Sequence, residues 1–328
     1  MSGIRVGVVG SGFIAKQHLR SWRANGAELA VYSQDGEEAA RLADKLGIVA
    51  AATLEELLEF CEIADVCTPT DQHLPVVAAA ASAGVHVVCE KPLARTAAEA
   101  EEVIAVCAAA GVRLFPAHVV RYIDPYVAAW REVERGTLGA IAVAHLSRSG
   151  PRPTWSAWFE DRDRSGGLLM DLLIHDYDIA QWLAGPVRRV WARALGDGAG
   201  GKEAGVVVLT HESGAISHVE GVWDAAGSPL TSTFQLFGDG GYLLSGTTPG
   251  TDVRIREAAG TVRRLPTPPA PGAPGPFEAE LADFAAAVTT GGAARVSPAD
   301  GLSAVRVAEA AVESARTGVA IEIEGGRA

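Results

Sequence analysis

The chain has 328 residues, 48% of them hydrophobic and 21% charged, with a formal net charge of -12. That length suffices for two domains with cores of their own, and the acidic balance disfavours nucleic acid or an anionic membrane surface as a partner. Cys61, Cys67, Cys89 and Cys107 lack C-x-x-C spacing and read as buried thiols of a reducing compartment; with no signal segment or apolar run of spanning length, a cytoplasmic protein is expected.

In chain order, the apolar runs IRVGVVG, ELAVYS, ADVCTP, VHVVCE and VRLFPAHVV alternate with Ala- and Leu-rich stretches. That rhythm is βαβ and predicts an α/β, doubly wound parallel sheet over residues 1–122. The first strand runs into G-x-G-x-x-A, formed by Gly10, Gly12 and Ala15 with Phe13 and Ile14 between them. Gly10 allows a tight turn, Gly12 lets the backbone approach a pyrophosphate, and Ala15 lets helix and strand pack closely, so the turn reads as a dinucleotide cradle. The acid that would clamp the adenine ribose belongs at the end of the second strand, where Ser33 stands instead. No Arg follows to pair a 2'-phosphate, and Asp35, Glu37 and Glu38 would repel one. NAD or NADP is therefore the expected cofactor, leaning to NAD.

From about residue 140 longer alternating runs appear, AIAVAHLSR, GVVVLTHE, AISHVEGVW, TSTFQLFG and DVRIRE, joined by Gly-rich turns. They predict an α+β domain over residues 123–328 with a large, mainly antiparallel open sheet. The Pro-rich LPTPPAPGAPGPF is a loop or strap, followed by two helices. No helix cover for the sheet is evident along the sequence, so a homodimer or homotetramer through this sheet is expected.

The segment GGLLMDLLIHDYDIAQWL sets ionisable groups among leucines. Read as one helix, it puts Asp171, His175 and Asp178 on a stripe beside an apolar face, with Asp176 off the stripe. Such a stripe is a site, a solvated face, or a set of metal ligands; the lack of H-x-x-x-H argues against the last, so no metal is expected. Just before it, arginines interleave with Trp155 and Trp158, but Glu160, Asp161 and Asp163 neutralise them. That stretch reads as a loop over a pocket or as core packing.

The motifs GSGFIA, CEKPLA and GGLLMDLLIHDYD, with TPTDQHLP, RYIDPY, GDGGYL, FEAELADF and ESARTG, resemble the Gfo/Idh/MocA family of glucose-fructose oxidoreductase, inositol dehydrogenase and relatives. The resemblance runs nearly end to end. It implies a Rossmann domain followed by a mixed-sheet domain, and NAD(P)-linked oxidation or reduction of sugars, cyclic polyols or similar small molecules. It implies Lys91, Asp171 and His175 as the catalytic trio at the domain junction, and a cis Lys91–Pro92 bond. Thr68, Pro69, His73 and Glu90 would lie on the nicotinamide side of the cofactor, with Lys91 beside them. His175 titrates near neutral pH and suits the role of base, while Lys91 can stabilise a developing alkoxide. His118, Arg121, Tyr122, Trp155 and Trp158 are candidates for substrate contact, with structural packing as the competing reading. A cofactor-assisted glycoside hydrolase and a dinucleotide-sensing binding protein are the alternatives to a dehydrogenase.

Overall fold

The N-terminal apolar runs are short and uniformly hydrophobic, the pattern of strands covered on both faces. The computed structural model describes residues 3–153, 157–196, 203–224, 229–245, 253–258, 260–265 and 272–323. In chain order its first elements are β1 (Arg5–Val9), α1 (Phe13–Ala24), β2 (Glu28–Tyr32), α2 (Gly36–Leu46), β3 (Val49–Ala50), α3 (Leu54–Phe60), β4 (Ile63–Val66), α4 (His73–Ser82), β5 (His86–Glu90), α5 (Ala97–Ala110) and β6 (Leu114–Ala117). Among the described residues these strands form a six-stranded parallel sheet in the order β3-β2-β1-β4-β5-β6. The order reverses direction between β1 and β4, as in a doubly wound dinucleotide fold. The strands also end level: Val9 lies opposite Tyr32 and Val66, Val66 opposite Cys89, and Glu90 opposite Ala117.

There follow α6 (Asp124–Glu134), β7 (Ile141–Pro151), α7 (Arg162–Ser165), α8 (Gly167–Asp171), α9 (Ile174–Ala184), β8 (Val187–Leu195), β9 (Glu203–His211), β10 (Ile216–Asp224), β11 (Thr231–Gly238), β12 (Gly241–Leu244), β13 (Val253–Glu257), β14 (Val262–Leu265), α10 (Pro276–Thr290), α11 (Pro298–Thr317) and β15 (Ile321–Glu322). The nine strands described here form one sheet in the order β14-β13-β12-β11-β7-β10-β9-β8-β15. Its neighbours are antiparallel except for β7 and β10, which run parallel. Side chains alternate along each strand: in β10, Ser217, Val219, Gly221 and Trp223 are buried while Ile216, His218 and Glu220 are exposed. On the buried side the sheet does have helix cover. A Cβ at Gly221 would fall 2.5 Å from Leu173, and one at Gly205 would fall 2.8 Å from Leu169, so α8 and the turn after it press directly onto the sheet.

The chain divides into one unit of Met1–Tyr122 with Pro274–Leu302 and a second of Ile123–Ala273 with Ser303–Ala328. An undivided second domain over 123–328 is thus corrected: the segment after the Pro-rich stretch returns to the first unit. The cause is apolar. Leu281, Phe284 and Ala285 of α10 are buried in the same core cluster as Leu19, Trp22, Phe115 and Tyr122, and the Phe284 ring stacks on Phe115 at 5.1 Å. Asn25 at the end of α1 donates to the Glu278 carbonyl at 2.9 Å. Replacing Phe284 with alanine should destabilise the first unit by about 3–5 kcal/mol, the usual loss for a buried aromatic cut to a methyl. Denaturant unfolding followed by intrinsic fluorescence measures it, and a loss below about 1 kcal/mol would mean that α10 is peripheral to this core.

Candidate active site

In the first unit every loop that carries an expected cofactor residue leaves the carboxyl edge of the parallel sheet, which is where such sheets bind ligands. Gly10 follows β1 with φ of +124°, and a Cβ there would come within 2.7 Å of the Cys67 carbonyl oxygen, so only glycine fits the turn. Gly12 differs: a Cβ there would meet no atom within 4 Å. It is the N-cap of α1, which has no side-chain cap, whereas α2, α3 and α5 are capped by Asp35, Thr53 and Thr96. The N-cap glycine offers no side chain of its own to the start of α1 and borders open space, an arrangement that fits an anion of diphosphate size. Ala15 is fully buried, Ile14 half-buried and Phe13 exposed.

Ser33 stands directly after β2, and its hydroxyl lies 3.0 Å from that of Ser11 in the cradle. The acids expected to repel a 2'-phosphate are engaged locally. Asp35 accepts the Glu38 N–H at 3.0 Å, and Glu38 is paired with Lys16 at 2.7 Å and Arg41 at 3.1 Å. The Lys16 and Arg41 contacts hold the Glu38 carboxyl below its usual range. These two cations sit one position past Ala15 and inside α2, away from the strand end where a phosphate partner is ordinarily sought; their helical spacing from the cradle was the available signal.

Thr68 and Pro69 follow β4, and His73 opens α4. The His73 ring is buried, with its nitrogens 3.0 Å from the Thr68 carbonyl and 3.3 Å from that of Leu93, so it ties the loop after β4 to the one after β5. Burial pulls its pKa down. Lys91 follows β5 directly, half-buried, and the Lys91–Pro92 bond is cis. Glu90 is buried and its Oε2 accepts the Lys91 N–H at 2.9 Å. His118 is buried. Arg121 and Tyr122, considered for substrate contact, have their polar ends committed inside the unit. Arg121 pairs with Asp300 at 3.0 Å, and the Tyr122 hydroxyl donates to Asp283 at 2.7 Å. Both hold the returning segment in place.

Sequence motifs did not reveal a buried charged cluster beneath this edge. His18 Nδ1 lies 2.9 Å from Asp65 Oδ2, and its Nε2 lies 3.2 Å from Glu90 Oε1. Trp22 donates to Asp65 at 2.7 Å. Nδ1 of His18, the Asp65 carboxylate and Cys67 Sγ lie within 4.8 Å of one another, with hydrogen bonds already joining them. Burial alone would lower the His18 pKa, but the Asp65 carboxylate overrides it and the ring is held well above its ordinary value. Glu280, fully buried on α10, has neither carboxyl oxygen bonded to a protein partner, and burial pushes its pKa well up. The signal available was His18 on the same helix face as Ala15, and a lone acid in the apolar strand IADV.

In the second unit, the single helix expected over Gly166–Leu183 is two. α8 ends at Asp171 and α9 begins at Ile174, with both the Leu172 and Leu173 N–H groups bonded to the Leu168 carbonyl. The doubled acceptor marks the break. Asp171 is buried at the end of α8, His175 is half-buried in the first turn of α9, and Asp178 is buried. Asp176 is structural: Arg148 of β7 grips it through two hydrogen bonds of 2.7 and 3.0 Å, both residues being buried. Of the two tryptophans, Trp155 lies outside the described residues, and Trp158 stacks on Phe159 at 4.2 Å. Arg152 and Arg162 pair with Glu203 at 3.4 and 3.1 Å, a neutralising partner remote in sequence. Among the described residues no helix is long and apolar enough to cross a membrane.

Residues 4–118 match the Gfo/Idh/MocA oxidoreductase family, NAD-binding Rossmann fold, and residues 126–244 match the Gfo/Idh/MocA C-terminal domain. The chain is 30% identical to 1,5-anhydro-D-fructose reductase of Ensifer adhaerens over 98% of its own length and 99% of the relative's. It is 29% identical to D-apiose dehydrogenase of Paraburkholderia graminis, covering 97% of this chain and 89% of that one. Among solved structures, a probable dehydrogenase from Thermotoga maritima superposes with a TM-score of 0.84 at 28% identity, covering 98% and 99% of the two chains.

The open space at Gly12 gives a direct test of the cradle. Gly12→Val should leave thermal unfolding within about 0.5 kcal/mol of the parent, because a Cβ there meets no protein atom within 4 Å, yet should abolish NAD binding in titration calorimetry by filling the space a pyrophosphate needs. Retained affinity would put the dinucleotide elsewhere.

Proposed function

Because the chain belongs to the Gfo/Idh/MocA family of NAD-linked oxidoreductases, we propose that it oxidises a secondary alcohol of a sugar, cyclic polyol or related small molecule, or reduces the matching carbonyl. The observation that carries this reading is Lys91. It stands one residue beyond β5, at the same sheet edge as the glycine cradle, where strand ends are level. The relatives named for D-apiose and 1,5-anhydro-D-fructose support a carbohydrate-like substrate.

In the oxidative direction the alcohol loses two hydrogens. A nicotinamide cofactor held at the Gly10–Ala15 turn would supply the acceptor for the hydride from the carbinol carbon. His175 takes the O–H proton, and the Lys91 ammonium offsets negative charge growing on that oxygen. Asp171 orients the imidazole or binds a neighbouring hydroxyl. The products are a carbonyl compound, reduced cofactor and one proton, which His175 passes to solvent. We propose NAD as the preferred cofactor because no Arg directly follows Ser33 to pair a 2'-phosphate; Lys16 and Arg41 keep NADP within reach. The four free cysteines suit a cytoplasmic location.

We further propose that the outer face of the nine-stranded sheet is covered by a second copy of the chain. Trp191, Val206 and Ile216 stand 37%, 45% and 40% exposed on strands β8, β9 and β10. Outward arginines of β8 and outward Glu220 of β10 give one face both signs of charge, which a two-fold pairing can match to itself. Light scattering should give at least a dimer mass at micromolar concentration, and Val206→Arg should shift it towards the monomer; a monomeric parent protein would overturn the assembly.

A panel of inositols, aldoses and lactones with each cofactor, followed by absorbance of the reduced nicotinamide, identifies the substrate. A dehydrogenase gives reduced cofactor in step with product; product without net cofactor turnover would mean hydrolysis through transient oxidation. With a substrate in hand, His175→Asn and Lys91→Ala should each lower kcat by roughly 10²- to 10⁴-fold while NAD still binds. The double variant should lose less than the product of the two, since partners in one proton transfer are not additive. Near-parental turnover in either single variant would move the chemistry to other residues.

A further inference from the structure

We propose that His18 is a positioning residue for Lys91, acting through Glu90 to fix the lysine's turn relative to the helix that carries the cofactor cradle. This rests on the proposed role of Lys91. His18 is three residues past Ala15 on α1, and its ring is completely buried. One side is anchored: Nδ1 meets both Asp65 oxygens, at 3.1 and 2.9 Å, and the Trp22 indole N–H holds the same carboxylate at 2.7 Å. The other side is directed at the reactive turn: Nε2 lies 3.2 Å from Glu90 Oε1, in ion-pair contact. The second oxygen of Glu90 accepts the Lys91 backbone N–H at 2.9 Å. α1, β4, β5 and the Lys91 turn are thus joined through one imidazole.

The surroundings make the link stiff. From β4 comes Asp65 and from the residue after it Cys67, from β5 and its turn Cys89, Glu90 and Lys91, and from α10 Phe277, whose ring centroid is 5.5 Å from that of His18, with Glu280 and Asp283 on the same helix. No water-sized route is needed for the effect, because a buried carboxylate deprived of its cationic neighbour must move or take up a proton. Either change alters the carboxylate that holds the Lys91 backbone N–H. Bulk packing alone would not demand that both ring nitrogens be occupied by acids from two different strands.

Two substitutions separate positioning from packing. Asparagine places its amide nitrogen where Nδ1 was, keeping the Asp65 bond and losing the Glu90 contact; glutamine places it where Nε2 was and does the reverse. His18→Asn should lower kcat by roughly 10- to 100-fold, the scale of an ångström of misplacement, with substrate KM and NAD affinity within about threefold. His18→Gln should restore kcat to within a few fold of the parent even where its thermal midpoint is no higher than that of the Asn variant. If the Asn variant does not fold, Glu90→Gln breaks the same link from the other end and should show the same selective loss of kcat. Equal kcat in the Asn and Gln variants, losses that follow thermal stability, or an unaffected Glu90→Gln would overturn the inference. Lys91→Met run alongside separates the two readings: if it is inactive while His18→Asn matches His18→Gln, only the positioning role fails; if it is fully active, the role of Lys91 fails and the inference falls with it.

Discussion

A parallel strand cannot pair with its successor until the chain has travelled back to the opposite end of the sheet. Each strand of the first unit therefore delivers its following loop to one common edge. Here that geometric requirement is met with the strand ends level, so the glycine turn after β1, Ser33 after β2, Thr68 after β4 and Lys91 after β5 emerge side by side. Residues separated by up to 81 positions share an edge without any contact having to select them. The reversal of strand order between β1 and β4 leaves room there for a ligand, and the uncapped start of α1 supplies its polar complement.

That edge rests on charge as well as on apolar packing. Burying an acid costs several kcal/mol unless something compensates it, and the two units meet that cost differently. In the second, Arg148 and Asp176 form a closed two-bond pair that leaves neither partner open. In the first, one imidazole is shared between two carboxylates, and burial pushes the pKa of Glu280 on α10 well up. A shared partner is less self-contained than a closed pair, which is what makes it able to pass a displacement from one strand to the next.

What could be read from the sequence was local. The glycine spacing, the lysine at a strand end and the alternation of the long strands each express themselves within a dozen residues, and each corresponds to an observed element. Helical periodicity misjudged Gly166–Leu183, because two consecutive leucines with helical dihedrals continue the pattern through a break that only the shared Leu168 acceptor reveals. The strand β8, VRRVWARAL, escaped notice because its outward positions carry arginine and tryptophan rather than small polar residues. The His18 contacts with Asp65 and Glu90 span 47 and 72 positions and obey no spacing rule. Arg121 and Tyr122 looked like substrate residues for the same reason: their partners Asp300 and Asp283 are remote in sequence.

The return of Pro274–Leu302 to the first unit means that the polypeptide changes unit three times, after Tyr122, after Ala273 and after Leu302. Neither unit is a continuous cassette. Recombination between relatives with a single junction near residue 122 would hand one parent's sheet to the other parent's α10, pairing Phe115 and Leu19 with a Phe284 and Leu281 they were not selected alongside. Exchange that preserves the core needs matched junctions on both sides of the returning segment. A single exchange near residue 122 would therefore split the first unit's core rather than transfer a whole unit.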